Sequence, residues 1–146
     1  MQYAGKAMTA AHSLLLSVAA MALLQLVMTV ALFATRIPAL IQARVPPQRI
    51  DRAVLDRLPK WTANIADNYR NLFEAPTAFY AIALAIVLLG QADSLYAVCA
   101  WTYVAARVVH SAVQSTVNHV LTRFAIFAAS CGVLGVMIIR CIATQL

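Results

Sequence analysis

The stretch Ser13–Ala34, SLLLSVAAMALLQLVMTVALFA, decides the fold class. It runs without one charged side chain, and a helix that spans a bilayer needs about 20 mostly apolar residues. The run exceeds the roughly 7–15 residues of a signal-peptide core, so a retained span is expected. The rest of the chain agrees. Of 146 residues, 63% are hydrophobic and 11% charged, with a mean hydropathy of +0.80. Ordinary soluble domains hold roughly 45–50% apolar and about 25% charged residues. That composition excludes a disordered chain. It argues equally against a soluble globule, whose surface 11 basic and 5 acidic residues could not cover.

Working outward, three more stretches reach spanning length: 72–90, 95–117 and 124–143. The expected fold class is an all-α integral membrane protein, one four-transmembrane-helix bundle with spans 13–34, 72–90, 95–117 and 124–143. A charged loop, 36–70, separates the first two spans. This loop carries Arg36, Arg44, Arg49, Arg52, Arg57, Lys60 and Arg70, and Arg123 lies on the same side. Lys6, Asp93 and Arg140 fall on the other. The positive-inside rule therefore predicts cytoplasmic loops one and three and both termini outside. The expected location is a bacterial inner membrane. The net charge of +6 is thus spent on a membrane surface, and nucleic acid is not an expected partner.

Few chemical devices are present. Cys99, Cys131 and Cys141 sit in apolar runs without ligand spacing, so inert buried thiols are expected and no metal site. Four glycines leave no phosphate-cradling loop. In the first loop, QRIDRAVLDRL (48–58) places Ile50, Val54, Leu55 and Leu58 at helical spacing and predicts a short amphipathic surface helix. Pro59 ends it, and Thr62 is the expected N-cap of the next helix. That helix enters the bilayer with Asn64, Asp67, Asn68, Arg70, Asn71 and Glu74.

The informative residues are those that cost energy in lipid. Tyr103, Arg107, His110 and Gln114 share one helix face. A charge at mid-span costs about 2.5–3.5 kcal/mol, so Arg107 needs a partner. A tight hairpin turning near Ala92–Asp93 sets Glu74 level with Ser111, one turn from Arg107, and an intramembrane pair of Arg107 with Glu74 is predicted. The next turn brings Arg123 to the depth of Gln114. Arg70, Asn71, Glu74, His110, Gln114 and Arg123 then surround one cytoplasm-facing cavity. Singly, each has a plainer reading. Glu74 can pair locally with Arg70, His110 can be a packing residue, and Arg123 can be a snorkelling anchor. Gln25 reads as interhelical glue. On the last helix Ala125, Ala128, Ala129, Gly132 and Gly135 permit close approach, so an oligomer with a pocket at a subunit boundary is expected.

The pieces R70-N71-L72-F73-E74-A75-P76, A100-W101-T102-Y103, R107-V108-V109-H110 and R123-F124-A125 together resemble the MAPEG superfamily, membrane-associated proteins in eicosanoid and glutathione metabolism, in its bacterial form. The resemblance implies a homotrimer binding glutathione between neighbouring subunits. Arg70, Asn71 and Glu74 would hold the peptide with His110 and Gln114 nearby. Arg123 would be the catalytic group, stabilising the glutathione thiolate, and Arg36 would come from the neighbouring copy. Active relatives commonly carry tyrosines where this chain has Gln114 and Phe127, and a polar residue where it has Phe124.

Two functions follow. One is a glutathione-dependent transferase or peroxidase acting on lipophilic electrophiles. The alternative is a non-catalytic, lipid-binding or scaffold subunit with membrane lipids and protein partners in a larger assembly. A transporter would need polar groups through the outer half of the bilayer, and that half is apolar.

Overall fold

The computed structural model describes residues 2–145, with side chains from Met8 onward, so Lys6 lies outside the described side chains. Among the described residues all regular structure is helical: α1 (Gln2–Gln42), α2 (Arg52–Leu55), α3 (Lys60–Glu74), α4 (Pro76–Leu88), α5 (Ser94–Ser115) and α6 (Val120–Ala143). Three segments are long and apolar enough to cross a membrane: Met8–Gln42, Lys60–Leu88 and Val120–Ala143. This is an integral membrane protein. The 22-residue α5 stands apart from those three because Arg107, His110 and Gln114 lower its hydropathy.

Helix α1 runs well past the expected end at Ala34. Its 35-residue apolar segment is about 52 Å long, against about 30 Å of hydrocarbon, so one end must project beyond the core. The helix that leads into the second span begins at Lys60, close to the start expected near Thr62. Its polar first half is tolerated because Thr62, Ala66, Asn68 and Leu72 turn inward and are buried. Thr62 is not the N-cap: Pro59 holds that position, and the Thr62 hydroxyl donates back to Pro59 O at 2.7 Å. The expected surface helix over 48–58 is broken into a 3-10 turn, Pro47–Arg49, and the single turn α2. Asp51 causes the break by capping α2, its carboxylate accepting from Val54 N at 2.8 Å.

The α3–α4 junction has a specific device. Pro76 has no N–H, so the Leu72 carbonyl loses its helical partner. Gln25 of α1 supplies the substitute, its Nε2 donating to Leu72 O at 2.5 Å while its Oε1 accepts from the Tyr80 hydroxyl at 2.7 Å. Ala75 keeps helical dihedrals, so α4 follows α3 without an intervening loop. Core packing reinforces the arrangement. Leu14, Met21, Leu72, Phe79, Ile86 and Met137 are fully buried, and the Phe79 and Tyr103 rings stack at 4.6 Å.

At the opposite end Gly90, at φ +67, turns the chain after α4. Asp93 caps α5 by accepting from Tyr96 N at 3.0 Å and forms a two-pronged ion pair with Arg140 of α6. Of the cysteines only Cys141 is buried, and Cys131 faces outward on α6, against the expectation of three buried thiols.

Candidate functional site

Helix α5 touches α1, α3 and α6, and its polar face meets α3 in a ladder of asparagines. Asn64, Asn68 and Asn71 follow a 4, 3 spacing and lie on one face of α3. At the loop end, Asn118 Nδ2 donates to Asn64 Oδ1 at 2.8 Å. One turn deeper, Asn68 Nδ2 donates to Ser115 Oγ at 3.2 Å and Asn68 Oδ1 accepts from the Ser111 hydroxyl at 3.1 Å. Deeper still, Asn71 Nδ2 donates to Gln114 Oε1 at 3.1 Å.

The third rung reaches α6. His110 Nε2 lies 2.9 Å from Gln114 Oε1, and Nδ1 lies 3.1 Å from the main-chain oxygen of Arg123. A carbonyl can only accept, so the Arg123 contact puts a proton on Nδ1. The Gln114 contact is then a hydrogen bond either with a second proton on Nε2 or with the Gln114 and Asn71 amides turned over, so that the Gln114 nitrogen donates. One chain of hydrogen bonds therefore joins Asn71, Gln114, His110 and the backbone of Arg123. The Arg123 guanidinium is half-buried and donates to Asn118 Oδ1 at 2.7 Å. Asn118 takes a left-handed conformation, φ 48, that the α5–α6 turn requires, and its amide serves α3 and α6 at once.

Arg107 is fully buried. In place of the expected pair with Glu74, its Nη2 donates to the main-chain oxygen of Asn71 at 3.1 Å, and it lies over the Phe127 ring at 5.5 Å. Glu74, one turn along α3 from Asn71, is exposed and makes no ion pair among the described residues. The geometry explains the difference. The Asn71 oxygen keeps its helical partner, the Ala75 amide at 3.2 Å, and accepts from Arg107 on its second lone pair. Nε and Nη1 of Arg107 have no partner among the described residues. A buried cation with two open N–H groups favours an anion or a carbonyl oxygen beside it.

The remaining residues go elsewhere. Arg70 pairs with Asp67, not with Glu74, and both partners are largely exposed. Arg70 and Arg36 line a cavity of about 580 Å³ between the end of α1, the loop around α2, and α3. The site residues thus divide in two: Asn71, His110, Gln114 and Arg123 in the α3–α5–α6 network, and Arg36 with Arg70 at the cavity. Asn64, Asn68, Ser111 and Asn118 belong to the network without having been singled out as site residues. The signal for three of them was the repeat of asparagine on one face of α3 opposite serines on α5.

The model of the MAPEG family matches residues 14–143. No curated protein and no solved structure matches the chain.

Proposed function

The chain belongs to the MAPEG family, and on that premise we propose that it is a glutathione-dependent transferase or peroxidase for lipophilic electrophiles, working as a homotrimer of four-span subunits. Its loops one and three face the cytoplasm, where the basic residues lie. The observation that carries this reading is the hydrogen-bonded chain from Asn71 through Gln114 and His110 to the backbone of Arg123. It holds α3, α5 and α6 in fixed register and leaves the Arg123 guanidinium half-buried at its edge.

In this reading Arg123 faces the glutathione sulfur. A guanidinium beside a thiol favours the thiolate, the nucleophilic form. The sulfur then attacks an electrophilic carbon arriving from the bilayer, expelling its leaving group or opening an epoxide to the alkoxide. With a lipid hydroperoxide it attacks the O–O bond instead, releasing the lipid alcohol and a glutathione sulfenic acid that a second glutathione converts to disulfide and water. Asn71, His110 and Gln114 set the wall of the site, Arg70 and Glu74 engage the charged ends of the peptide, and Arg36 of a neighbouring copy adds a fork for a carboxylate.

A second reading, a non-catalytic lipid-binding or scaffold subunit, draws on Phe127. Its ring lies 5.9 Å from that of His110 and 5.5 Å from the Arg107 guanidinium, so an unreactive aromatic surface fills the position where active relatives commonly hold a hydroxyl.

Isothermal titration of reduced glutathione into the detergent-purified protein separates the two. Saturable binding that weakens in Arg123→Ala supports the thiolate site. Tight binding that survives the substitution removes Arg123 from its role. No heat at millimolar glutathione, with folded protein, transfers the case to the second reading.

A further inference from the structure

We propose that the cavity between α1, the α2 loop and α3 is a headgroup site for a phospholipid bearing a primary ammonium, built within one chain. It shares Arg36 and Arg70 with the glutathione reading and is told apart from it by Arg52 and Asp56. Its depth fits. No charged residue interrupts α1 from Ser13 to Thr35, about 35 Å of helix, which covers the hydrocarbon core. Arg36 therefore stands at the level of the headgroup phosphates, and Arg36 lines the cavity.

The charges select the head. Of the arginines and aspartates around the cavity, Arg70 and Asp67 neutralise each other, and the Asp51 carboxylate caps α2. That leaves the side chains of Arg36, Arg52 and Asp56, none of which makes a hydrogen bond or ion pair among the described residues, beside the Asp51 carboxylate, which keeps its charge while capping. Two guanidinium groups suit a phosphodiester, whose oxygens accept forked N–H pairs. One open carboxylate suits an ammonium that still has N–H to donate. A quaternary ammonium lacks those protons, and a purely anionic head would set a second negative group against Asp56.

The walls select a lipid over a soluble phosphodiester. Leu32, Leu55 and Leu58 line the same space, which at about 580 Å³ falls in the range of about 300–1,000 Å³ typical of small-molecule sites. Basic pockets beside the ends of spanning helices are where lipid heads are held.

The test is titration followed by native mass spectrometry of the full-length protein in detergent. The probes are phosphatidylethanolamine, phosphatidylcholine, phosphatidylglycerol and the soluble glycerophosphoethanolamine. Phosphatidylethanolamine is expected to bind about tenfold tighter than the other lipids, with about a tenfold loss in either Arg36→Ala or Arg52→Ala. Asp56→Asn should abolish the preference over phosphatidylcholine. Arg52 and Asp56 have no place in the glutathione site, so their variants should bind glutathione as wild type does, and the two readings can fail separately. Unchanged lipid binding in the Arg36→Ala/Arg52→Ala double variant would overturn the proposal. So would an equal or greater affinity for phosphatidylglycerol. Soluble glycerophosphoethanolamine binding as tightly as the lipid would overturn the lipid assignment. Arg52 and Asp56 are exposed, and unchanged helical circular dichroism identifies variants that fold.

Discussion

Arg107 holds Asn71 by its backbone: the guanidinium Nη2 donates to the main-chain oxygen of Asn71 at 3.1 Å. The same asparagine is held by its side chain, which donates to Gln114. Position and orientation of Asn71 are therefore set by two different residues of α5. This is how a helix that enters the membrane with a polar face is kept in register with its neighbour.

The two uses of Arg107 can be separated. Its Nε and Nη1 are buried without partners among the described residues, so its charge carries a desolvation cost that its contacts offset only in part. Arg107→Met keeps most of the volume and removes the charge. Its stability is expected within about 1 kcal/mol of wild type, or above it. Arg107→Ala also opens a cavity and should lose about 2–4 kcal/mol. Thermal unfolding in micelles measures both. An equal loss in the two variants would show that the charge itself is well compensated.

The Gln25–Leu72 bridge makes a prediction about a pair. Gln25→Leu strands the Leu72 carbonyl and the Tyr80 hydroxyl and should cost about 1–2 kcal/mol. In a Pro76→Ala background residue 76 regains an N–H that can bond Leu72 O within the helix. The same Gln25→Leu change should then cost less than half as much. A double-mutant cycle measures this coupling, and strictly additive losses would mean that Gln25 does not act through the proline.

Much of this architecture is legible in residue order because hydrophobic runs and side-chain depth are properties of one helix at a time. The charge-free run after Ser13 lies within α1, and the depth match across the Ala92–Asp93 turn sets Asn71 beside Gln114, near His110. Arg107 shows where such reading stops. An opposite charge was the obvious partner, and Glu74 lay at about the right depth. The actual acceptor is a main-chain oxygen, which every residue has and no side-chain pattern marks. The surface helix expected over 48–58 fails for a related reason. Its apolar spacing is helical, but Asp51 captures the Val54 amide and restarts the helix within the segment.

At the other end of the molecule, acid should release α6 from the α4–α5 turn. The hydrogen bond from Arg140 holds the Asp93 carboxyl below the usual carboxylate range, helped by the Tyr96 amide. A group whose folded-state pKa is lowered stabilises the fold above its ordinary value, about 3.9, and the benefit disappears as pH falls through the lowered one. Asp93→Asn isolates the charge, because asparagine still caps a helix well. The Asp93 side chain is 41% exposed, so screening keeps the effect below about 1 kcal/mol. The wild type should unfold at a slightly higher temperature than Asp93→Asn at neutral pH, with the gap closing below about pH 4. A gap that widened in acid would have the wrong sign for this pair.

Asn118 combines a backbone constraint with a side-chain duty, and two substitutions divide them. Its left-handed φ of 48 costs a residue with a Cβ about 1 kcal/mol unless local hydrogen bonds compensate. Its amide bonds Asn64 on one side and the Arg123 guanidinium on the other. Asn118→Gly removes the amide and keeps the backbone relaxed, whereas Asn118→Ala removes the amide and adds strain. Alanine should therefore be the less stable by about 1 kcal/mol. Both variants release Arg123 from the acceptor that holds it, so both should weaken glutathione binding by a similar factor despite their different stabilities. If glutathione affinity instead followed stability, with alanine well below glycine, the role of Asn118 would be confined to the turn and would not extend to aiming Arg123.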